Sequence, residues 1–219
     1  MKEKLKKLGQ LLFNKTLFRV KEYNKKNLSD KSYILAPNHT SDLDGPIIWS
    51  NNENLRIMAK KECFENKLLG NFLTKVDVVK VDRDKHNGTE IREAIKYLNS
   101  ENNNIFMLFP QGTISDINKN AISRIKPGAF YISAITNVPI IPVFIEQPRI
   151  FKKSRVIYGE EMYVNDIYDN NGKIDKEKIK EYRKKWQDEI FKLEYQALKV
   201  EDRPFRKLKL KDKHRNNNS

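Results

Sequence analysis

Six short apolar runs separated by helical patterns limit what this chain can fold into more than any other feature. The runs suit buried strands and comprise Tyr33–Ala36, Leu55–Met58, Val76–Val81, Ile105–Phe109, Ile140–Ile145 and Arg155–Tyr158. Helical patterns occupy residues 88–100, 127–137 and 175–198. Strands that alternate with helices predict an α/β domain with a mixed, largely parallel sheet flanked by helices.

The length of the chain favours one hydrophobic core with extensions at both ends. The chain has 219 residues, of which 38% are hydrophobic and 33% charged, a composition typical of a folded chain. We predict that residues 30–200 form the domain, that residues 1–29 form a basic amphipathic helical segment, and that residues 201–219 form a basic tail. Cys63 is the only cysteine, which excludes a disulfide within the chain and a zinc site built from cysteines.

Basic residues are concentrated at the two ends. Residues 1–31 hold ten Lys or Arg against three acidic residues, and residues 199–219 hold eight against three, so the ends carry +12 of the net charge of +14. This distribution indicates either a docking surface for a polyanion or a contribution to solubility. The candidate polyanions are anionic lipid, an acidic protein and nucleic acid, and nucleic acid is the weakest because no nucleic-acid motif accompanies the charge.

The N-terminal segment combines this charge with a helical period. The apolar residues that gather toward one side are Leu5, Leu8, Leu11, Leu12, Leu17 and Phe18. A basic amphipathic helix can lie in a membrane interface, or it can pack on the domain's own core. No run reaches the roughly 18 apolar residues of a spanning helix, and charges interrupt the apolar residues that a signal peptide needs, so we expect a cytoplasmic protein.

A histidine and an aspartate follow the first apolar run directly. Pro37 should end that strand. His39 lies two residues after Pro37, and Asp44 lies five residues after His39. On a continuous helix five residues correspond to a rotation of about 140°, so the two side chains can meet only if His39 lies in a turn and a helix starts near Asp44. The N-cap candidates and first-turn proline that support such a start are Ser41, Asp42, Asp44 and Pro46.

Such a pair can act as a general base and its orienting carboxylate. A neutral imidazole takes a proton from an alcohol, while a carboxylate on the other ring nitrogen selects the tautomer and stabilises the imidazolium. This is the acid–base half of a catalytic triad, with the substrate's hydroxyl as nucleophile. Taken alone, the pair more often marks a capping or structural histidine, so other motifs must decide.

Four blocks in a defined order favour the catalytic interpretation. They are Asn38-His39-Thr40-Ser41-Asp42-Leu43-Asp44, Val78-Val79-Lys80-Val81-Asp82-Arg83, Phe109-Pro110-Gln111-Gly112-Thr113-Ile114-Ser115 and Val138-Pro139-Ile140-Ile141-Pro142-Val143. In this order they resemble the blocks of the glycerolipid acyltransferases, whose first block is the His-x4-Asp motif. The resemblance covers roughly residues 30–146.

The resemblance implies roles for residues in and near these blocks. His39 would take the proton from the acceptor's hydroxyl, and Asp44 would orient His39. Arg83 would clamp the glycerol-phosphate headgroup, although the residues alone favour a surface arginine paired with Asp82 or Asp84. The other candidate substrate ligands are Ser41, Gln111, Gly112, Thr113, Arg124 and Lys126. The turn around Gly112 offers backbone amides for a phosphate or an oxyanion, or is simply a strand-to-loop turn.

The third block departs from the family's usual Phe-Pro-Glu-Gly-Thr-Arg-Ser at two positions. Gln111 replaces Glu, which keeps the size and one acceptor but removes the charge, so it could still bond the glycerol hydroxyl. Ile114 replaces Arg, which removes a phosphate ligand. Either Arg124 or Lys126 takes over, or the acceptor's headgroup differs from a simple phosphomonoester; we expect the former because both residues follow closely.

The reaction that the resemblance implies moves a fatty acyl group from acyl-CoA or acyl-acyl carrier protein to the sn-2 hydroxyl of 1-acyl-glycerol-3-phosphate, a step of phospholipid biosynthesis. It needs no metal or other cofactor. The expected setting is peripheral, at the cytoplasmic face of the membrane, with an anionic lipid surface as a further partner. Two alternatives stay open: an acyltransferase of the same superfamily for another lysolipid or aminolipid, and a non-catalytic protein that binds anionic lipid.

Overall fold

One sheet of seven strands organises the described part of the protein. The computed structural model describes residues 7–9, 19–28, 30–52, 54–65, 78–81, 88–101, 103–115, 124–146, 153–169 and 171–199. Its strands are β1 (Lys21–Tyr23), β2 (Tyr33–Pro37), β3 (Leu55–Lys60), β4 (Val79–Val81), β5 (Ile105–Met107), β6 (Ile140–Ile145) and β7 (Arg155–Tyr158). They lie in the order β1-β7-β6-β2-β5-β3-β4. The β6–β7 pair is antiparallel and the other pairs are parallel, which confirms the predicted fold class.

Within the described residues, four helices pack around this sheet. They are α1 (Asp44–Trp49), α2 (Thr89–Leu98), α3 (Gly128–Thr136) and α4 (Lys176–Lys199), with short 3-10 turns at Lys25–Asn27 and Lys61–Phe64. Helices α2 and α3 contact each other and the central strands, and α4 lies along β6 and β7. The stripe predicted for α4 is buried as expected and comprises Ile179, Tyr182, Trp186, Ile190 and Leu193. Trp186 also donates its indole N–H to the carbonyl of Ala36 at 2.8 Å, which ties α4 to the middle of the sheet.

Two prolines lie in the central strands β2 and β6: Pro37 is the last residue of β2, and Pro142 lies within the predicted run Ile140–Ile145. Strand β2 ends at Pro37, as predicted, and Pro37 itself still pairs in register with Val143. Proline cannot donate to a ladder, but the bond to the Val143 carbonyl comes from the N–H of Asn38 at 3.1 Å. Pro142 lies in β6, which has neighbours on both sides and is buried throughout, so this run forms a central strand of the sheet.

Strand β1 lies within the segment that we predicted to be helical. Residues 21–23 pair in parallel with β7, so the sheet begins before the predicted domain boundary at residue 30. Lys7, Leu8 and Gly9 are helical, whereas most of the predicted N-terminal helix and the whole tail 201–219 lie outside the described residues. Within the part of the chain that the structure describes, no helix has the length and apolar character required to cross a membrane.

Candidate active site

The candidate site lies where the neighbouring parallel strands β2 and β5 end. Leu35 is paired with Met107, so the carboxyl ends of the two strands open at the same edge of the sheet. His39 follows β2 and Gln111 follows β5. The two loops are joined directly, because the backbone N–H of Ser115 donates to the His39 carbonyl at 2.9 Å.

His39 and Asp44 meet as the sequence predicted. His39 lies in the turn after β2, Asp44 is the first residue of α1, and His39 Nδ1 is 3.1 Å from Asp44 Oδ2. The same oxygen accepts the backbone N–H of Thr40 at 2.7 Å and that of Ser41 at 2.9 Å. Asp44 is 0% exposed, so these donors replace water at Oδ2, whereas Oδ1 is buried with no hydrogen-bond partner among the described residues.

The start of α1 differs from the predicted capping. Leu43 is the N-cap residue of α1, and no side chain caps the helix there, so the prediction that Ser41, Asp42 or Asp44 would do so was wrong. The Asp44 carboxylate instead reaches back to the turn that precedes its own helix. Ser41 supports the same turn, because its hydroxyl oxygen accepts the N–H of Leu43 at 3.2 Å.

This geometry assigns the two nitrogens of the His39 ring. A carboxylate only accepts hydrogen bonds, so Nδ1 carries the proton and Nε2 is left with the free lone pair. The Phe109 ring stacks on the imidazole with centroids 3.9 Å apart and planes 17° apart, which limits rotation of the imidazole. The His39 side chain is 16% exposed, so a substrate can reach it. The arrangement can therefore take a proton from a bound alcohol and stabilise the charge that results.

Asn38, for which the sequence suggested no role, anchors the start of the loop that carries His39. Its side chain is buried; Nδ2 donates to the carbonyl of Ile145 at 3.0 Å, and Oδ1 accepts the N–H of Ile145 at 2.6 Å. The amide thus continues the pairing of β2 with β6 by one more step, directly before His39. Its place beside His39 in the first block was the only sequence signal for this role.

The turn after β5 closes over the other side of His39. Gln111 is 5% exposed; its Oε1 accepts the backbone N–H of His39 at 2.7 Å, and its Nε2 donates to Ser115 O at 2.8 Å and Ser115 Oγ at 2.9 Å. Gly112 has φ +70°, a backbone conformation that favours glycine. A Cβ at Gly112 would lie 3.1 Å from Lys126 Cγ, so the stem of Lys126 packs across this turn. The Lys126 N–H also donates to Pro110 O at 2.7 Å.

The sequence-predicted site residues divide into three groups. The structure brings together His39, Ser41, Asp44, Gln111, Gly112 and Lys126. Thr113 is exposed in the same turn, and Arg124 is exposed two residues before Lys126. Arg83 lies outside the described residues. Among the residues that are described, no group of three or more His, Cys, Asp or Glu side chains is placed to hold a metal ion.

The chain is similar to known acyltransferases. Residues 19–146 match the family model described as Acyltransferase. A 1-acyl-sn-glycerol-3-phosphate acyltransferase of Bacillus subtilis is 31% identical over 161 residues, which is 68% of this chain and 76% of that protein. A protein of the same name from Saccharomyces cerevisiae is 31% identical over 136 residues, 58% of this chain and 42% of its own length.

A solved structure shares the fold. The 1-acyl-sn-glycerophosphate (LPA) acyltransferase PlsC of Thermotoga maritima superposes with a TM-score of 0.64 at 22% identity, over 90% of this chain and 79% of that one. At that identity the likeness supports the fold, while the family model and the Bacillus relative decide the family. The chain therefore belongs to the acyltransferase family, as its four ordered blocks predicted.

Proposed function

We propose that this enzyme transfers a fatty acyl group from a thioester donor to the sn-2 hydroxyl of 1-acyl-glycerol-3-phosphate. The observation that carries the proposal is the contact between His39 Nδ1 and Asp44 Oδ2, because it leaves Nε2 as the base of the site. The names of the relatives from Bacillus subtilis and Saccharomyces cerevisiae support this acceptor. The donor is acyl-CoA or acyl-acyl carrier protein.

The reaction proceeds by acid–base catalysis on the acceptor's hydroxyl. Nε2 of His39 takes the hydroxyl proton while the oxygen attacks the carbonyl carbon of the thioester, so that a C–O bond forms. The C–S bond then breaks, and the imidazolium returns the proton to the departing thiolate. The Asp44 carboxylate stabilises the imidazolium between these two steps. No step requires a metal or a redox cofactor.

The turn between Phe109 and Ser115 supplies the electrostatic part of the site. Backbone amides in a turn that contains a residue at positive φ can bind a phosphate or a developing oxyanion. The exposed Lys126 crosses this turn at Gly112 and brings a positive charge to it. We place the phosphate of the acceptor here, with Lys126 and Arg124 in the role that Arg has in the family's usual third block.

The basic ends of the chain bring the enzyme to its substrates. They carry most of the net charge of +14 and suit both an anionic membrane surface and the acidic acyl carrier protein. The enzyme would then work as a peripheral protein at the cytoplasmic face of the membrane, where the lysophospholipid is available.

A turnover assay of the His39→Ala variant tests the catalytic proposal. A general base contributes about 10²–10⁴ to a rate, so we expect kcat for acylation of lysophosphatidate to fall by that factor. The measurement uses the full chain with lysophosphatidate in mixed micelles and either donor. His214→Ala makes the same substitution in the C-terminal tail and should retain wild-type turnover. Equal turnover in wild type and His39→Ala would end the proposal that His39 is the base.

A second variant tests the headgroup ligand. Lys126→Met keeps the stem that packs on Gly112 but removes the charge, so KM for lysophosphatidate should rise roughly tenfold while kcat changes little. Lys96→Met, on the exposed side of α2, serves as the matched control. An unchanged KM in both Lys126→Met and Arg124→Met would mean that these residues do not bind the phosphate.

One observation favours a different acceptor as the second candidate. Ile114, which stands where Arg is usual, is 45% exposed beside the site, so it offers an apolar contact where a phosphate ligand is expected. An acceptor screen with other lysolipids and aminolipids, using the same donor, separates the two candidates. Faster turnover of an acceptor without a phosphomonoester would replace lysophosphatidate as the substrate.

A further inference from the structure

We infer that Gln111 is a positioning residue for His39 and not the acceptor ligand that the sequence predicted. This chain requires an amide at that position because the side chain must both donate and accept a hydrogen bond. The inference rests on the proposed function of His39. It is carried by the contacts of the Gln111 side chain, which reach both His39 and Ser115.

The hydrogen-bond donors of Gln111 are already committed within the protein. Its amide group has two N–H bonds, and Nε2 lies within reach of both Ser115 O at 2.8 Å and Ser115 Oγ at 2.9 Å. Its Oε1 accepts the His39 N–H at 2.7 Å. With 5% of the residue exposed, little of it is left to meet a glycerol hydroxyl.

These contacts hold the backbone of His39 at both of its polar groups. Gln111 accepts the His39 N–H, and the Ser115 N–H donates to the His39 carbonyl. Gln111 also ties its own end of the turn to Ser115. The β5 turn therefore clamps the peptide units on either side of the His39 Cα, while Asp44 orients the imidazole. A small rotation of this backbone would move Nε2 away from the hydroxyl that it must deprotonate.

A glutamate at this position would serve one of the two contacts and oppose the other. One carboxylate oxygen could accept the His39 N–H as Oε1 does now. The second would face the carbonyl of Ser115 at the distance that Nε2 now spans, so two acceptors would meet in a site that excludes most water. Ser115 Oγ can turn its hydrogen toward a carboxylate, but Ser115 O cannot. Only a protonated carboxyl could restore that contact.

The test compares Gln111→Glu with Gln111→Met in the full chain, using lysophosphatidate and acyl-CoA. We expect kcat to fall roughly 10- to 100-fold in both variants, with KM for the acceptor within about twofold of wild type. For Gln111→Glu, the ratio of variant to wild-type kcat should improve as the pH is lowered from 8 to 6, because the carboxyl then takes up the proton that lets it donate to Ser115 O. Gln111→Met has no titrating group, so its ratio should stay level.

Gln196→Glu makes the same chemical change on α4 and should keep the wild-type kcat. Two kinetic results would overturn the inference: a KM for the acceptor that rises tenfold with kcat retained, which is the signature of a substrate ligand, or a Gln111→Glu variant as active as wild type across the pH range.

A measurement that does not depend on turnover separates this inference from the proposed function. Hydrogen exchange of the His39 backbone amide, followed by NMR, reports the bond to Gln111 Oε1 directly. Gln111→Met should speed this exchange at least tenfold relative to amides elsewhere in the sheet. If the wild type acylates no lysophospholipid but this effect is present, the proposed function fails and the clamp on His39 stands. Unchanged exchange would disprove the clamp whatever the activity.

Discussion

Two shielded carboxylates, Asp44 at the start of α1 and Glu22 in the edge strand β1, differ in the groups that hold them. Asp44 is 0% exposed and accepts from two backbone N–H groups and from His39. The Glu22 side chain is 11% exposed; it accepts the hydroxyl of Tyr158 and pairs with Lys25 Nζ at 2.8 Å. Asp44 thus receives its hydrogen bonds from the turn that precedes α1, and Glu22 receives one from the neighbouring strand β7.

Both carboxylates are shielded from solvent, so burial does not distinguish their roles. The hydrogen-bond partner does: Asp44 contacts an imidazole, whereas Glu22 contacts a phenol. Imidazole exchanges protons near neutral pH, so a carboxylate beside it can support a reaction. Tyr158 keeps its proton, because burial first and the nearby Glu22 second raise the pKa of its hydroxyl well above the usual range. The Glu22–Tyr158 contact therefore serves to hold β1 against β7, and we expect it to affect stability but not turnover.

The largest effect should come from removing the charge of Asp44. Asp44→Asn preserves size but leaves no charge to stabilise the His39 imidazolium, so kcat should fall on the order of 10³-fold. Steady-state kinetics, with circular dichroism to confirm folding, measure this change. Glu22→Gln removes the same charge in the other region and should keep kcat within about twofold. A comparable loss of turnover in Glu22→Gln would erase the distinction between the two carboxylates.

A smaller effect, on stability alone, should follow from removing the Tyr158 hydroxyl that donates to Glu22. Tyr158→Phe removes the donor to the shielded Glu22, which should lower the free energy of unfolding by about 1–2 kcal/mol in urea denaturation. Tyr163→Phe is the matched control, since its hydroxyl donates to Glu161 at an exposed position and its loss should cost no more than about 0.5 kcal/mol. Equal costs in the two variants would show that the Glu22 contact does not stabilise the sheet.

The smallest effect should appear at alkaline pH. Burial and then Glu22 raise the pKa of Tyr33 from 10.0 to about 12. The folded state therefore keeps a proton that the unfolded chain releases, so this contribution to stability is complete below pH 10 and is lost as the pH rises toward 12. The free energy of unfolding of Tyr33→Phe should fall less steeply between pH 10 and 11 than that of the wild type. Parallel slopes would contradict a raised pKa at Tyr33.

Strands β1, β2 and β6 and the start of α1 show which features local sequence patterns can predict. The apolar runs of β2 and β6 predicted buried strands, because the apolar character of a run can be read without knowledge of its partners. The run Lys21–Tyr23 has no comparable pattern, and it is a strand because the free edge of β7 lies beside it. Capping rules failed at Asp44 for a related reason: they assume that a side chain serves its own helix, whereas this carboxylate serves the turn before it.

The α/β class, the buried strands, the meeting of His39 with Asp44 and the family could all be predicted, because each depends on residue types at short spacings or on blocks in a defined order. Which neighbours complete the site depends on contacts between distant parts of the chain. Strands β3, β4 and β5 lie between His39 and Gln111 in the chain. The pairing of β2 with β5 brings the loop that carries His39 next to the loop that carries Gln111. Whether an amide side chain meets a substrate or another part of the protein depends on that pairing, and no local pattern records it.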